Sequence, residues 1–83
     1  MSKILIIEDE EAIRRVLIKI LSEENPSYQV FEAVDGLSGT ELIRTEDFDL
    51  VLCDIKMPKM DGVQVLEAAK KIKPEIPIVM ISG

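Results

Sequence analysis

Histidine and tryptophan are missing from this 83-residue sequence, and cysteine occurs once. A single thiol rules out an intramolecular disulfide. Cys53 follows Leu50, Val51 and Leu52, so it reads as a small buried hydrophobe rather than a reactive group. Four glycines and four prolines leave no low-complexity stretch and no flexible linker. No apolar run approaches the ~20 residues that a membrane-spanning helix needs. Met1-Ser2-Lys3 leads straight into Ile4-Leu5-Ile6-Ile7 without the layout of a signal peptide, so the expected location is the cytoplasm. Basic residues are also scarce: ten Lys and Arg stand against sixteen Asp and Glu, a formal charge of −6. That balance argues against a nucleic-acid surface, which needs clustered cations, and against attraction to anionic membranes. No G-x-G-x-x-G or P-loop follows any strand-like run, which disfavours a nucleotide enzyme. No Ser-, Thr- and Gly-rich cradle for a flavin phosphate is found either.

What is present is an ordinary globular composition, 47% apolar and 31% charged, at a length that allows at most one domain. Ile4-Leu5-Ile6-Ile7 reads as a buried strand, and Glu8 to Glu11 place acids at the start of the helix that follows, where its dipole favours them. Ala12, Ile13, Val16, Leu17, Ile20 and Leu21 form one apolar stripe, with Arg14, Arg15, Lys19 and Glu23 expected on the opposite face. Asn25-Pro26 stops the helix. Tyr28 to Ala33 alternates apolar and polar residues, as an edge strand does. Asp35-Gly36 is a turn, and a second helix runs from about Leu37 to Arg44 on a weak stripe of Leu37, Leu42 and Ile43. Gly39 costs that helix about 1 kcal/mol relative to alanine, which a close approach to the sheet would explain.

Leu50-Val51-Leu52-Cys53 is continuously apolar and stops at Asp54, the pattern of a strand buried on both faces. Pro58 and Gly62 mark a turn, and Val63, Leu66, Ala69 and Ile72 share one face of a third helix, with Val65 and Ala68 beside it. Pro77 opens a last apolar run, Ile78-Val79-Met80-Ile81, followed by Ser82-Gly83. Strand and helix alternate three times and a strand follows, βαβαβαβ, which implies a parallel sheet with right-handed crossovers.

In a parallel sheet the residues after Ile7, Cys53 and Ile81 share one edge, the edge at which open α/β sheets bind their ligands. If the first and third strands are neighbours, Glu8, Asp9 and Asp54 converge there. Like charges held close raise one another's pKa, and a divalent cation removes the conflict. All-oxygen donors suit Mg²⁺ better than a structural Zn²⁺. An Asp carboxylate can also act as a nucleophile and form an aspartyl phosphate.

Together, Ile4-Leu5-Ile6-Ile7-Glu8-Asp9-Glu10, Asp49-Leu50-Val51-Leu52-Cys53-Asp54, Met57-Pro58-Lys59-Met60-Asp61-Gly62 and Pro77-Ile78-Val79-Met80-Ile81-Ser82-Gly83 resemble the receiver domain of bacterial two-component response regulators. The resemblance covers the whole chain. It implies a three-layer flavodoxin-like fold with the sheet order second strand, first, third, fourth. It implies that Asp54 is the phosphoacceptor and Ser82 the switch hydroxyl. Mg²⁺ would be held by Asp9, Asp54 and the backbone carbonyl of Lys56, with Glu8 acting through water. The implied partner is a histidine kinase, and the only catalysis is the domain's own phosphoryl transfer and dephosphorylation. Family domains continue with a helix, a fifth strand ending in a lysine, and a final helix. Residues 1–83 are therefore expected to be the N-terminal portion of such a domain, truncated at its C-terminal end.

Two function classes follow. One is a phosphoacceptor signalling domain. The alternative is an association module that pairs through an exposed fourth strand and holds no stable phosphate.

Overall fold

The computed structural model describes residues 2–81. The elements run β1 (Lys3–Ile7), α1 (Glu11–Glu24), β2 (Gln29–Ala33), α2 (Gly36–Thr45), β3 (Leu50–Asp54), α3 (Gly62–Ile72) and β4 (Ile78–Ile81). The four strands form one parallel sheet in the order β2-β1-β3-β4. Alternation along the strands splits their side chains between two layers. Leu5, Ile7, Val51 and Cys53 point into a core shared with Ile43 of α2 and with Val65 and Ala69 of α3. Ile4 and Ile6 are buried on the other face, beneath α1. Complete burial of a side chain such as Leu5 or Ile7 contributes about 1.5–3 kcal/mol. The expected three-layer arrangement and strand order are therefore observed.

The helices differ from their apolar patterns in which residues they bury. In α1, Val16 and Ile20 are 57% and 56% exposed, while Ile13, Leu17 and Leu21 are half-buried. The stripe read from the sequence is wider than the arc a sheet face can cover, and the helix is rotated so that Arg14 also turns inward. The expectation of Arg14 on the solvent face is thus corrected: its side chain is only 11% exposed. Its guanidinium leaves water for acceptors at the sheet edge, described below. In α2 the buried residues are Gly36, Gly39, Thr40 and Ile43, and Leu37 is exposed. Small residues face the sheet because the helix backbone lies close to it. A β-carbon at Gly39 would stand 2.5 Å from Cδ1 of Ile7, which accounts for a helix-weakening glycine at that position. In α3 the buried face is Gly62, Val65 and Ala69, and Val63 is exposed.

The loops are closed by local chemistry. Asp35 caps α2, its carboxylate accepting from the backbone N–H of Ser38 at 2.7 Å. Asp61 and Gln64 form a reciprocal capping box at the start of α3. Lys73 donates to the carbonyl of Glu46 and the carboxylate of Asp47, tying the end of α3 to the turn before β3.

Candidate functional site

The registers decide what meets at the carboxyl edge of the sheet. Ile7 lies opposite Cys53, so the next residues of each chain, Glu8 and Asp54, stand level across the β1–β3 seam. Asp54 in turn pairs with Ile81 of β4. Glu8 is 2% exposed and Asp54 8%, whereas Asp9 is exposed. One carboxylate oxygen from each of the three lies within 4.8 Å of the others. The convergence expected of Glu8, Asp9 and Asp54 is therefore present. None of the five ion pairs among the described residues involves them.

Burial pushes the Glu8 carboxyl above its usual 4.5; the backbone N–H of Glu10 opposes this, and contact with the Asp9 carboxyl and the charge of Asp54 add to the rise. That N–H donates to Oε2 of Glu8 at 3.0 Å, so Glu8 is anchored by its own loop. Three acids this close, two of them buried and none paired with a base, form a cluster that repels itself unless a cation or protons intervene. The donor set is all oxygen and partly open to solvent through Asp9. That fits a hard divalent ion, which keeps several waters and takes only one or two carboxylates.

The loop after Asp54 is anchored to the core by two methionines. Met57 is buried and Met60 packs against the core, while Pro58 and Lys59 face solvent. The reversal is a three-residue γ-turn, the N–H of Met60 donating to the carbonyl of Pro58 at 2.8 Å around Lys59 at φ 69°. The Lys56 side chain is exposed, and its carbonyl accepts no hydrogen bond from the described residues. Asp61 is used as a helix cap and does not join the acids. Ser82 lies outside the described residues. Cys53, beneath Asp54, is fully buried, and burial, with the nearby charges of Asp54, Glu8 and Asp61, pushes its thiol up to about 12.

The residue that sequence reasoning missed is Arg14. One guanidinium nitrogen donates to the Glu8 carbonyl at 2.9 Å and another to Glu32 at 3.1 Å. Helical periodicity alone gave no sign of this, because an arginine at that spacing reads as solvated surface. A cavity of about 330 Å³ lies among Asp47, Phe48, Lys73 and Pro77 at the opposite end of the strands, away from the three acids. Chemistry rather than size therefore marks the site.

Comparison with known proteins agrees with this geometry. The family profile described as the response regulator receiver domain matches residues 4–83. The response regulator receiver protein CpdR of Brucella abortus is 40% identical over 83 residues, all of this chain and 68% of that protein. A CheY-like receiver domain crystal structure from Methanospirillum hungatei superposes with a TM-score of 0.91 at 37% identity, covering 100% of this chain and 65% of that one. A crystal structure of the histidine kinase ThkA in complex with the response regulator TrrA matches with a TM-score of 0.90 at 31% identity, covering 100% of this chain and 70% of that one. The chain thus spans about two thirds of the length of these three proteins. With its sheet order, its acidic edge and a family match that reaches from the first strand to the last residue, the chain belongs to the response regulator receiver domain family.

Proposed function

We propose that this chain is a phosphoacceptor domain of a two-component phosphorelay and that Asp54 receives the phosphoryl group. The observation that carries the reading is the placement of Asp54. It is nearly buried at the end of a central strand, and its carboxylate shares a 4.8 Å cluster with Glu8 and Asp9. In the transfer, an Asp54 carboxylate oxygen bonds to phosphorus as the bond from phosphorus to the imidazole nitrogen of a kinase phosphohistidine breaks. The imidazole leaves with the electron pair and takes up a proton. The β3 ladder fixes the Asp54 backbone at the strand end, so the nucleophile starts from a fixed position. Asp9, Asp54 and the Lys56 carbonyl would hold Mg²⁺, with Glu8 through a water. Bound there, the ion would supply charge neutralisation for the phosphoryl oxygens. Ser82 is the proposed switch hydroxyl. The partner is a histidine kinase, which the kinase–regulator complex of a 31%-identical protein supports. The domain catalyses only its own phosphorylation and dephosphorylation, in the cytoplasm, and binds neither nucleic acid nor membrane itself. No described helix is long and apolar enough to cross a bilayer.

A small phosphodonor such as acetyl phosphate tests this. Mg²⁺-dependent labelling of the wild type should fall to background in Asp54→Asn, since an amide is not the required nucleophile. Labelling of that variant at the wild-type rate would show that Asp54 is not the acceptor.

One observation favours a second role, self-association through β4. Among the described residues β4 forms one sheet edge, carries no charged side chain and leaves Val79 half-exposed. The other edge, β2, carries Glu32, paired with Arg14, and so is better guarded.

A further inference from the structure

The Glu8–Asp9 segment is held at three points, and each is a different kind of hold. The Glu8 N–H continues the sheet ladder by donating to the Ala33 carbonyl at 3.1 Å. The Glu8 carboxylate accepts from the Glu10 N–H. The Glu8 carbonyl, which belongs to the peptide bond that carries Asp9, accepts from Arg14 at 2.9 Å. The first bond fixes Glu8, the second ties the Asp9–Glu10 peptide back to the Glu8 side chain, and the third fixes the Glu8–Asp9 peptide, the other plane that meets at the Asp9 Cα.

Arg14 is well placed to be rigid in this task. It sits in the first turn of α1, where its own N–H donates to the Glu10 carbonyl at 3.0 Å. Its side chain is nine-tenths covered, and its second contact, to Glu32 on the neighbouring strand, sets the plane of the guanidinium. A planar fork with two fixed acceptors loses little freedom on binding them. The guanidinium meets Glu8 at the carbonyl, not at the carboxylate, so its hydrogen bond acts on the backbone of the loop.

We propose that Arg14 is a positioning residue for the acidic pocket: by spanning the Glu8 carbonyl and the Glu32 carboxylate, it orients the Glu8–Asp9 peptide and thereby the Asp9 carboxylate toward Asp54. This rests on reading the pocket as a divalent-cation site. Asp9 is the exposed acid of the three, and packing does little to hold it. A ligand on a loop, held through a backbone carbonyl, depends on the group that fixes that carbonyl. Glu32 is an indirect member of the site, since it orients the arginine.

The test is Mn²⁺ binding by the full chain, followed through paramagnetic broadening and by competition with Mg²⁺, with folding checked by circular dichroism. Arg14→Gln should weaken Mn²⁺ binding about tenfold, in the range lost when a residue orienting a metal ligand is removed. Arg14→Lys can reach one acceptor but not both, and should lose less. Glu32→Gln should lose least. On an Asp9→Asn background, Arg14→Gln should have no further effect, because the carboxylate it orients is gone. A folded Arg14→Gln chain that binds Mn²⁺ within about twofold of wild type, while Asp9→Asn loses binding, overturns the positioning role. If Arg14→Gln does not fold, unchanged affinity in Arg14→Lys overturns it instead. A wild-type chain that binds neither Mn²⁺ nor Mg²⁺ overturns the cation reading itself, and this proposal with it.

Discussion

Gly62 is the residue that lets Asp54 sit at the head of α3: a β-carbon there would run into the Asp54 carbonyl oxygen and would stand 2.7 Å from the Ile55 Cα. The Gly62 N–H donates to the Ile55 carbonyl at 2.8 Å, so helix and strand end are bonded at the point of contact. Neither neighbour is a flexible side-chain tip, and relief requires backbone movement. Gly62→Ala should therefore destabilise the domain by about 1–3 kcal/mol, the usual cost of overpacking. Urea unfolding measures this, and a change below about 0.5 kcal/mol would contradict the close approach.

Asp35 gives α2 a pH dependence. Its carboxyl is held below the usual 3.8, first by the Ser38 backbone N–H and then by the Ser38 hydroxyl. A group whose folded pKa is lowered stabilises the fold fully above its unfolded value. The contribution here is present above pH 3.8 and disappears as pH falls through the lower folded value. Asparagine also caps helices but does not titrate. The melting temperature of Asp35→Asn should thus approach that of the wild type on acidification. A gap between the two proteins that stays constant down to the acid limb would exclude this role.

Cys53 should be chemically silent while the chain is folded. Its thiol is fully buried and pushed up to about 12, so almost no thiolate forms near neutral pH. Iodoacetamide should label it only after unfolding in denaturant. Rapid alkylation of the native chain at pH ~8 would mean that β3 opens locally.

The proposed association through β4, an uncharged sheet edge among the described residues, predicts that residues 1–83 associate in a concentration-dependent way. A charge placed at Val79, which is 50% exposed, should oppose pairing with little cost to the core. Sedimentation at micromolar concentration should show a larger species for the wild type than for Val79→Lys. A wild-type chain that sediments as a compact monomer would remove the association reading.

Element order, the parallel sheet and the acidic edge were legible in the sequence. Apolar runs that end abruptly in acids at Glu8 and Asp54 can be satisfied in few ways once β-α alternation is recognised. Gly39 was legible as a conflict, because a glycine inside a helix needs a packing reason, and Ile7 supplies it. The rotation of each helix about its own axis was not legible. The stripes of α1, α2 and α3 each contain more apolar residues than the sheet can cover, so Val16, Ile20, Leu37 and Val63 remain exposed. Which arc turns inward is decided by packing against residues distant in sequence. That choice brought Arg14 to the Glu8 carbonyl. A hydrogen bond between a helix and a strand end depends on register and helix rotation together, and one-dimensional periodicity carries neither.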